Sequence, residues 1–207
     1  MKMKPVLTLA ATVAVAVGCA AITSPEEQYS RKAAAILKSS FKEHGQAKLD
    51  RLDQDDMQRL CSQYEGKPMP KEVADRLEKA QQALIKYTAD GKYLGSFASG
   101  ERIAQSGQGM QYNDDPSRPA GANCYACHQL SKAELSFGTI GPPLYNFGKI
   151  RGYTPEMQKY AFSKIYNSQA FSACSNMPRF GHNKILTEAQ IKDLVALLMD
   201  PKSPINQ

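Results

Sequence analysis

NCYACHQ, residues 123–129, decides the reading of this chain. Within it Cys124, Cys127 and His128 spell C-x-x-C-H, the pattern of covalent haem attachment in an exported protein. The chemistry needs this spacing. Two thiols three residues apart can add to the two vinyl groups of one haem, and the next residue is then held beneath the iron as proximal ligand. Such tethering retains one haem c even in a small protein that cannot fully enclose it. Other uses of the pair lack their context. A thioredoxin-like redox pair belongs in a βαβ unit, and a structural zinc site needs a second ligand pair.

The export signal stands at the start. MKMKPVLTLAATVAVAVGCAA, residues 1–21, has Lys2 and Lys4, an apolar run and then small residues, the layout of a secretory signal peptide. The run is too short for a membrane span. Two cleavages are open. AVGC, ending at Cys19, resembles a bacterial lipobox whose cysteine becomes the lipidated N-terminus. Cleavage after Ala20 or Ala21 would instead discard Cys19, and the missing Leu in the box tips the reading toward a soluble periplasmic product. Either way the mature protein meets an oxidising space that permits disulfides.

The chain has 207 residues, 42% hydrophobic and 22% charged, enough for one sizeable domain with an extension. Formal net charge is +6, and removing Lys2 and Lys4 leaves about +4. The charges are mixed in sign along the chain with no basic stripe, so a nucleic-acid partner is excluded as the reading.

Residues 24–93 read as a helical extension. Tyr29, Ala33, Ile36, Leu37 and Phe41 recur at helical spacing, with Gly45 as the stop. Met57, Leu60, Cys61 and Tyr64 make a second stripe, and Val73, Leu77, Ala80 and Leu84 a third, starting at Pro70. Residues 94–207 form the domain that carries the motif. A short helix is predicted near 99–106, a Gly/Pro-rich loop over 138–152, a helix opened by Thr154 and Pro155, and a last helix from Thr187 to about Leu198. Strand signals are weak, so the fold class is mainly α.

A haem with His128 below it has a sixth position to fill. Pro142, in the Gly-rich loop after the motif, is placed for its carbonyl to accept the ring N–H of His128, which would fix the tautomer and enrich the ligand. Met177 is the favoured distal ligand. It stands in a loop about fifty residues downstream, and Pro178 behind it holds the backbone extended. His182 would give bis-histidine ligation, and Cys174 a thiolate. Met157 and Met199 fall on predicted helices and read as core. Cys174 has another use, because Cys61 and Cys174 remain once Cys19, Cys124 and Cys127 are assigned, and leftover thiols in an oxidising space tend to pair. Thioether ligation raises the haem potential and closes the iron to exchange, which suits electron transfer.

Longer text carries a resemblance. GERIAQSGQG, NCYACHQL with SFGTIGPPLYNFGKIRGY, KIYNSQAFSACSNMPRFGHNKILTEAQIKDLVALLMDP and the closing SPIN resemble, in content and order, the X subunits of the SoxAX cytochromes of bacterial thiosulfate oxidation. The resemblance covers residues 94–206. It implies a class I cytochrome c domain with an N-terminal helical extension, haem on Cys124 and Cys127, and His128 and Met177 as axial ligands. The implied partner is a SoxA-type c-type cytochrome subunit carrying its own haem. The pair would act as an L-cysteine S-thiosulfotransferase, joining thiosulfate to a carrier protein's cysteine. Two electrons leave as that sulfur–sulfur bond forms, and the X-subunit haem would pass them singly to a downstream cytochrome c. The substrate site would lie on the partner. Arg151 and Arg179 are expected at haem propionates, at the subunit contact, or simply at the surface.

Overall fold

The computed structural model describes residues 24–207, so the leader and Cys19 lie outside the described residues. Two compact units divide the chain, Met1–Phe41 and Lys42–Gln207.

The first unit contributes helix α1, Pro25–Ser40. Ser24 caps it by accepting the Glu27 N–H, Pro25 opens it, and Glu26 and Glu27 sit in the first turn, where the helix dipole favours acid. Its apolar residues Tyr29, Ile36, Leu37 and Phe41 are exposed. The helix stops at Phe41, whose backbone is extended, and not at Gly45. Gly45 instead turns the chain between His44 and Ala47, with φ +55°. A Cβ there would meet the Tyr112 carbonyl oxygen at 2.1 Å, so glycine is required.

The second unit is a helical body. Helices α2 (Asp56–Gln63), α3 (Lys71–Gln82), α4 (Phe97–Gln105), α5 (Phe147–Arg151), α6 (Pro155–Tyr166) and α7 (Glu188–Met199) are joined by loops and short 3-10 turns. No strand forms among the described residues; one isolated bridge joins His44 and Ala47. Asp55 and Gln58 close a capping box at α2, and Thr187 and Gln190 close another at α7.

The core is built on α7. Ile191 and Leu194 through Met199 are all buried, so this helix is covered on nearly every side rather than along one stripe. Phe162, Ala161 and Ile165 of α6 pack there, with Leu130 from the loop after the motif and Ile205 from the C-terminal turn. Each large apolar side chain so buried contributes roughly 1.5–3 kcal/mol. Met199 is fully buried and Met157 packs against the same cluster, so both are core, as their helical positions predict. Helices α4 and α7 approach until a Cβ on Gly100 would lie 2.2 Å from the Asp193 carbonyl oxygen. The glycine of α4 therefore permits this close approach of the two helices.

Two differences from the sequence reading appear, the first with a long-range cause. Residues 147–151 form a helical turn where a loop is predicted. Asn206 reaches back from the C-terminus, accepting the Gly148 N–H at 3.1 Å and donating to the carbonyls of Leu198 and Asp200. One side chain thus caps both α5 and α7. Helix α3 ends at Gln82, leaving Leu84 exposed in the turn beyond it.

Candidate haem site

Asn123, Cys124, Cys127 and His128 share one tight turn. Asn123 adopts a left-handed backbone, Cys124–Ala126 forms a 3-10 turn, and the Cys124 carbonyl accepts the N–H groups of both Cys127 and His128. Asn is among the few side chains that tolerate that conformation. Both cysteines are free and half-buried. Burial pushes the Cys124 thiol up to about 12. It is a neutral thiol, the opposite of the depressed thiolate of a redox C-x-x-C. Nor does any group of three or more His, Cys, Asp or Glu side chains come together as a metal cluster among the described residues. The zinc and thioredoxin readings lose their footing here.

A second loop locks onto this turn from below. Gly138 N–H donates to the Tyr125 carbonyl, Gly141 N–H to Cys127 and Leu144 N–H to Gln129, at 2.8–2.9 Å. His128 Nδ1 lies 2.7 Å from the Pro142 carbonyl oxygen. A carbonyl only accepts, so Nδ1 is the donor and Nε2 is the ring nitrogen left for a metal. Gly141 makes this approach possible. A Cβ at that position would stand 2.1 Å from Cε1 and 2.4 Å from Nδ1 of the ring. The Gly-Pro step is therefore a fitted bed for the imidazole rather than an ordinary turn.

Tyr125 ties the turn to α4 through its hydroxyl, which donates to Glu101 at 2.8 Å. Burial, then that bond and the negative charge of Glu101, push the phenol pKa up, so the hydroxyl keeps its proton and stays a donor.

Downstream, Met177 is half-buried and packs against the core cluster. Its carbonyl accepts a 2.5 Å hydrogen bond from Ser168, which is fully buried, and its N–H reaches Ser175 Oγ. Cys174 and Cys61 form a disulfide, with their Cα atoms 5.4 Å apart. Cys174 therefore has no thiolate to offer a metal. His182 is half-buried; burial first, then the neighbouring Arg179 charge, hold its pKa below the usual imidazole range, although Asp55 pulls the other way.

The two arginines have different fates. Arg151 is exposed and lies over the Phe147 ring at 5.6 Å. Arg179 is neither a surface residue nor free for propionates, because it is only 6% exposed and bonds to Asp55 and Gln81. A buried guanidinium cannot shed its charge, so it takes the nearest carboxylate. Burial alone would raise the Asp55 carboxyl; the Gln58 N–H and Arg179 outweigh it and hold Asp55 below the usual carboxylate range. Sequence reasoning missed Asp55, Gln81 and Glu78 as partners of this loop. Their only sequence signal was the expected Cys61–Cys174 link, which places α2 beside it.

The residues fit a covalent haem. Two free thiols and one imidazole converge on one turn, with a close-fitting glycine bed behind the ring. The comparisons agree with that chemistry. Residues 117–201 match the cytochrome c family. Over 213 aligned positions the chain is 33% identical to an uncharacterised lipoprotein of Aquifex aeolicus, with 100% of both chains covered. No helix among the described residues is long and apolar enough to cross a membrane. The C-x-x-C-H turn, the mainly helical body and the matching stretch together make residues 117–201 of this chain a cytochrome c domain.

Proposed function

We propose that this chain is a single-haem electron-transfer subunit, with Cys124 and Cys127 as thioether anchors and His128 and Met177 as axial ligands. The observation that carries the reading is the His128–Pro142 hydrogen bond beside two free thiols on one turn. When bound, the haem iron supplies a one-electron couple. The protein supplies the rest. Pro142 orients the imidazole, Pro178 and Ser168 restrain the Met177 loop, and the helical core excludes water from one side.

The electrons come, in this reading, from thiosulfate oxidation. The support is the long run of text shared with SoxAX X subunits, above all residues 124–151 and 164–201. The partner would be a SoxA-type cytochrome bearing the substrate site, with a carrier-protein cysteine as acceptor and another cytochrome c downstream. The reading is tested by expressing the chain beside its genomic neighbours. Expected is co-purification with a second c-type subunit and loss of thiosulfate-dependent cytochrome c reduction when this chain is deleted. Purification alone, with thiosulfate oxidation intact in the deletion strain, would leave a free-standing electron shuttle as the function.

The kinship with a lipoprotein supports a lipid anchor at Cys19, reached through the imperfect lipobox. The mature protein then begins at Cys19 and partitions with membranes at the periplasmic face. Intact mass of the purified protein is expected to show an acylated N-terminal cysteine. A mass beginning at Ala21 or Ile22 with no lipid overturns the anchor.

A further inference from the structure

Helices α2 and α3 contact the distal loop at several points on either side of Met177. From α2, Cys61 is bonded to Cys174, and Asp55, the cap of the same helix, pairs with Arg179. From α3, Glu78 accepts the Ala173 N–H at 2.9 Å. Gln81 accepts from Asn167 at 2.9 Å and from Arg179 at 3.4 Å, and Gln82 donates to the Ala170 carbonyl at 2.8 Å. Met177 sits between these anchors, with Asn167, Ala170, Ala173 and Cys174 before it and Arg179 after it.

Met177 packs against the core cluster, and the hydrogen bonds at its backbone are the short-range ones from Ser168 and to Ser175. Between the loop and α2 lies a cavity of about 370 Å³, lined on the helix side by Gln54, Gln58 and Ser62 rather than by packed apolar side chains. The loop is thus held against α2 and α3 by discrete polar and covalent contacts across a gap. Asn167 and Gln81 are buried, and Arg179 keeps its charge in that setting. Swinging the loop outward would break the Arg179 bonds to both Asp55 and Gln81.

We propose that α2 and α3 are a brace that positions Met177, with Asp55, Glu78, Gln81 and the Cys61–Cys174 bond as positioning residues that set how readily the sixth ligand leaves. The inference rests on Met177 being that ligand. None of the brace residues is one of the proposed ligands. The brace acts through the loop, fixing the thioether by fixing the backbone on either side. Its loss turns a closed electron-transfer centre into one open to added ligands.

The test uses the full-length holoprotein and the rate at which imidazole binds the ferric form, which is limited by departure of the native sixth ligand. Asp55→Asn keeps an N-cap for α2 but removes the charge facing Arg179. Expected for Asp55→Asn, and for the double variant Cys61→Ser/Cys174→Ser, is an imidazole on-rate faster by about tenfold with covalent haem retained. Asn206→Ala loosens the domain at the opposite caps of α5 and α7, and is expected to lower Tm without changing that rate. Rates within about twofold of the parent in both brace variants overturn the brace. So does an equal rise in Asn206→Ala at matched Tm, because general loosening then explains it. Should Asp55→Asn fail to fold, Glu78→Ala, which removes the acceptor of the Ala173 N–H and leaves the ion pair in place, decides by the same rate. A parent protein that lacks the red charge-transfer band of thioether-ligated ferric haem overturns the Met177 assignment and the brace with it. A normal parent with insensitive variants overturns the brace alone.

Discussion

Met177→Ala is expected to keep covalently bound haem and to lower its midpoint potential by about 0.2 V or more, within the roughly 0.8 V range that axial ligands span. The thioether is a soft ligand that favours ferrous iron over ferric, and removing it leaves water or a harder donor in its place. The attachment turn is untouched, since Cys124, Cys127 and the His128–Pro142 bond lie on a different segment. Three readouts follow from one preparation. The haem band on a denaturing gel persists, the red charge-transfer band of the ferric spectrum disappears, and redox titration shows the lower potential. The nearby alternatives give different results. If His182 were the ligand, Met177→Ala would leave the potential unchanged and His182→Ala would move it. The structure places His182 beside Arg179 and Asp55, on the brace side of the loop. An unchanged potential in Met177→Ala sinks the assignment.

How much of this was legible in the sequence depends on the distance over which each feature is determined. The attachment turn was readable because Cys124, Cys127 and His128 are adjacent and their chemistry is local. Helices α6 and α7 were readable because Thr154 with Pro155, and Thr187 with Gln190, are caps whose partners lie within three residues. Helix α5 was not, because its five residues are held by Asn206, more than fifty positions away. Gly45 reads as a helix stop from its residue type alone. Its actual role depends on Tyr112, which no local pattern can reveal. The Pro142 acceptor was anticipated from the Gly-Pro step, but the 2.1 Å approach at Gly141 that requires the glycine needed coordinates. Arg179 shows the limit most sharply. Its position beside Met177 suggested the haem edge or the surface, whereas burial turns it toward Asp55, 124 residues earlier in the chain.

The same logic makes the disulfide the other large effect. Cys61 and Cys174 are separated by 113 residues, and closing a loop of that size removes much of the freedom of the unfolded chain. The chain-entropy model gives roughly 4–5 kcal/mol for such a loop. For a domain of this size the double variant Cys61→Ser/Cys174→Ser is expected to melt about 10–20 °C lower than the parent. The measurement is thermal unfolding followed by far-UV circular dichroism, with haem absorbance as a second probe. A fall of less than about 2 °C would mean that the unfolded chain is already compact enough to make the link redundant. The unmodified protein allows the same test by chemistry alone. Thioethers resist thiol reductants and disulfides do not, so dithiothreitol acts on Cys61 and Cys174 while haem stays attached to Cys124 and Cys127. Before reduction the unfolded protein is expected to give no reaction with a thiol reagent, and after reduction two thiols per chain, whether Cys19 is removed or acylated. Two thiols before reduction would instead mean that the link is absent, and the loop carrying Met177 would then depend on the Asp55–Arg179 pair and the α3 hydrogen bonds alone.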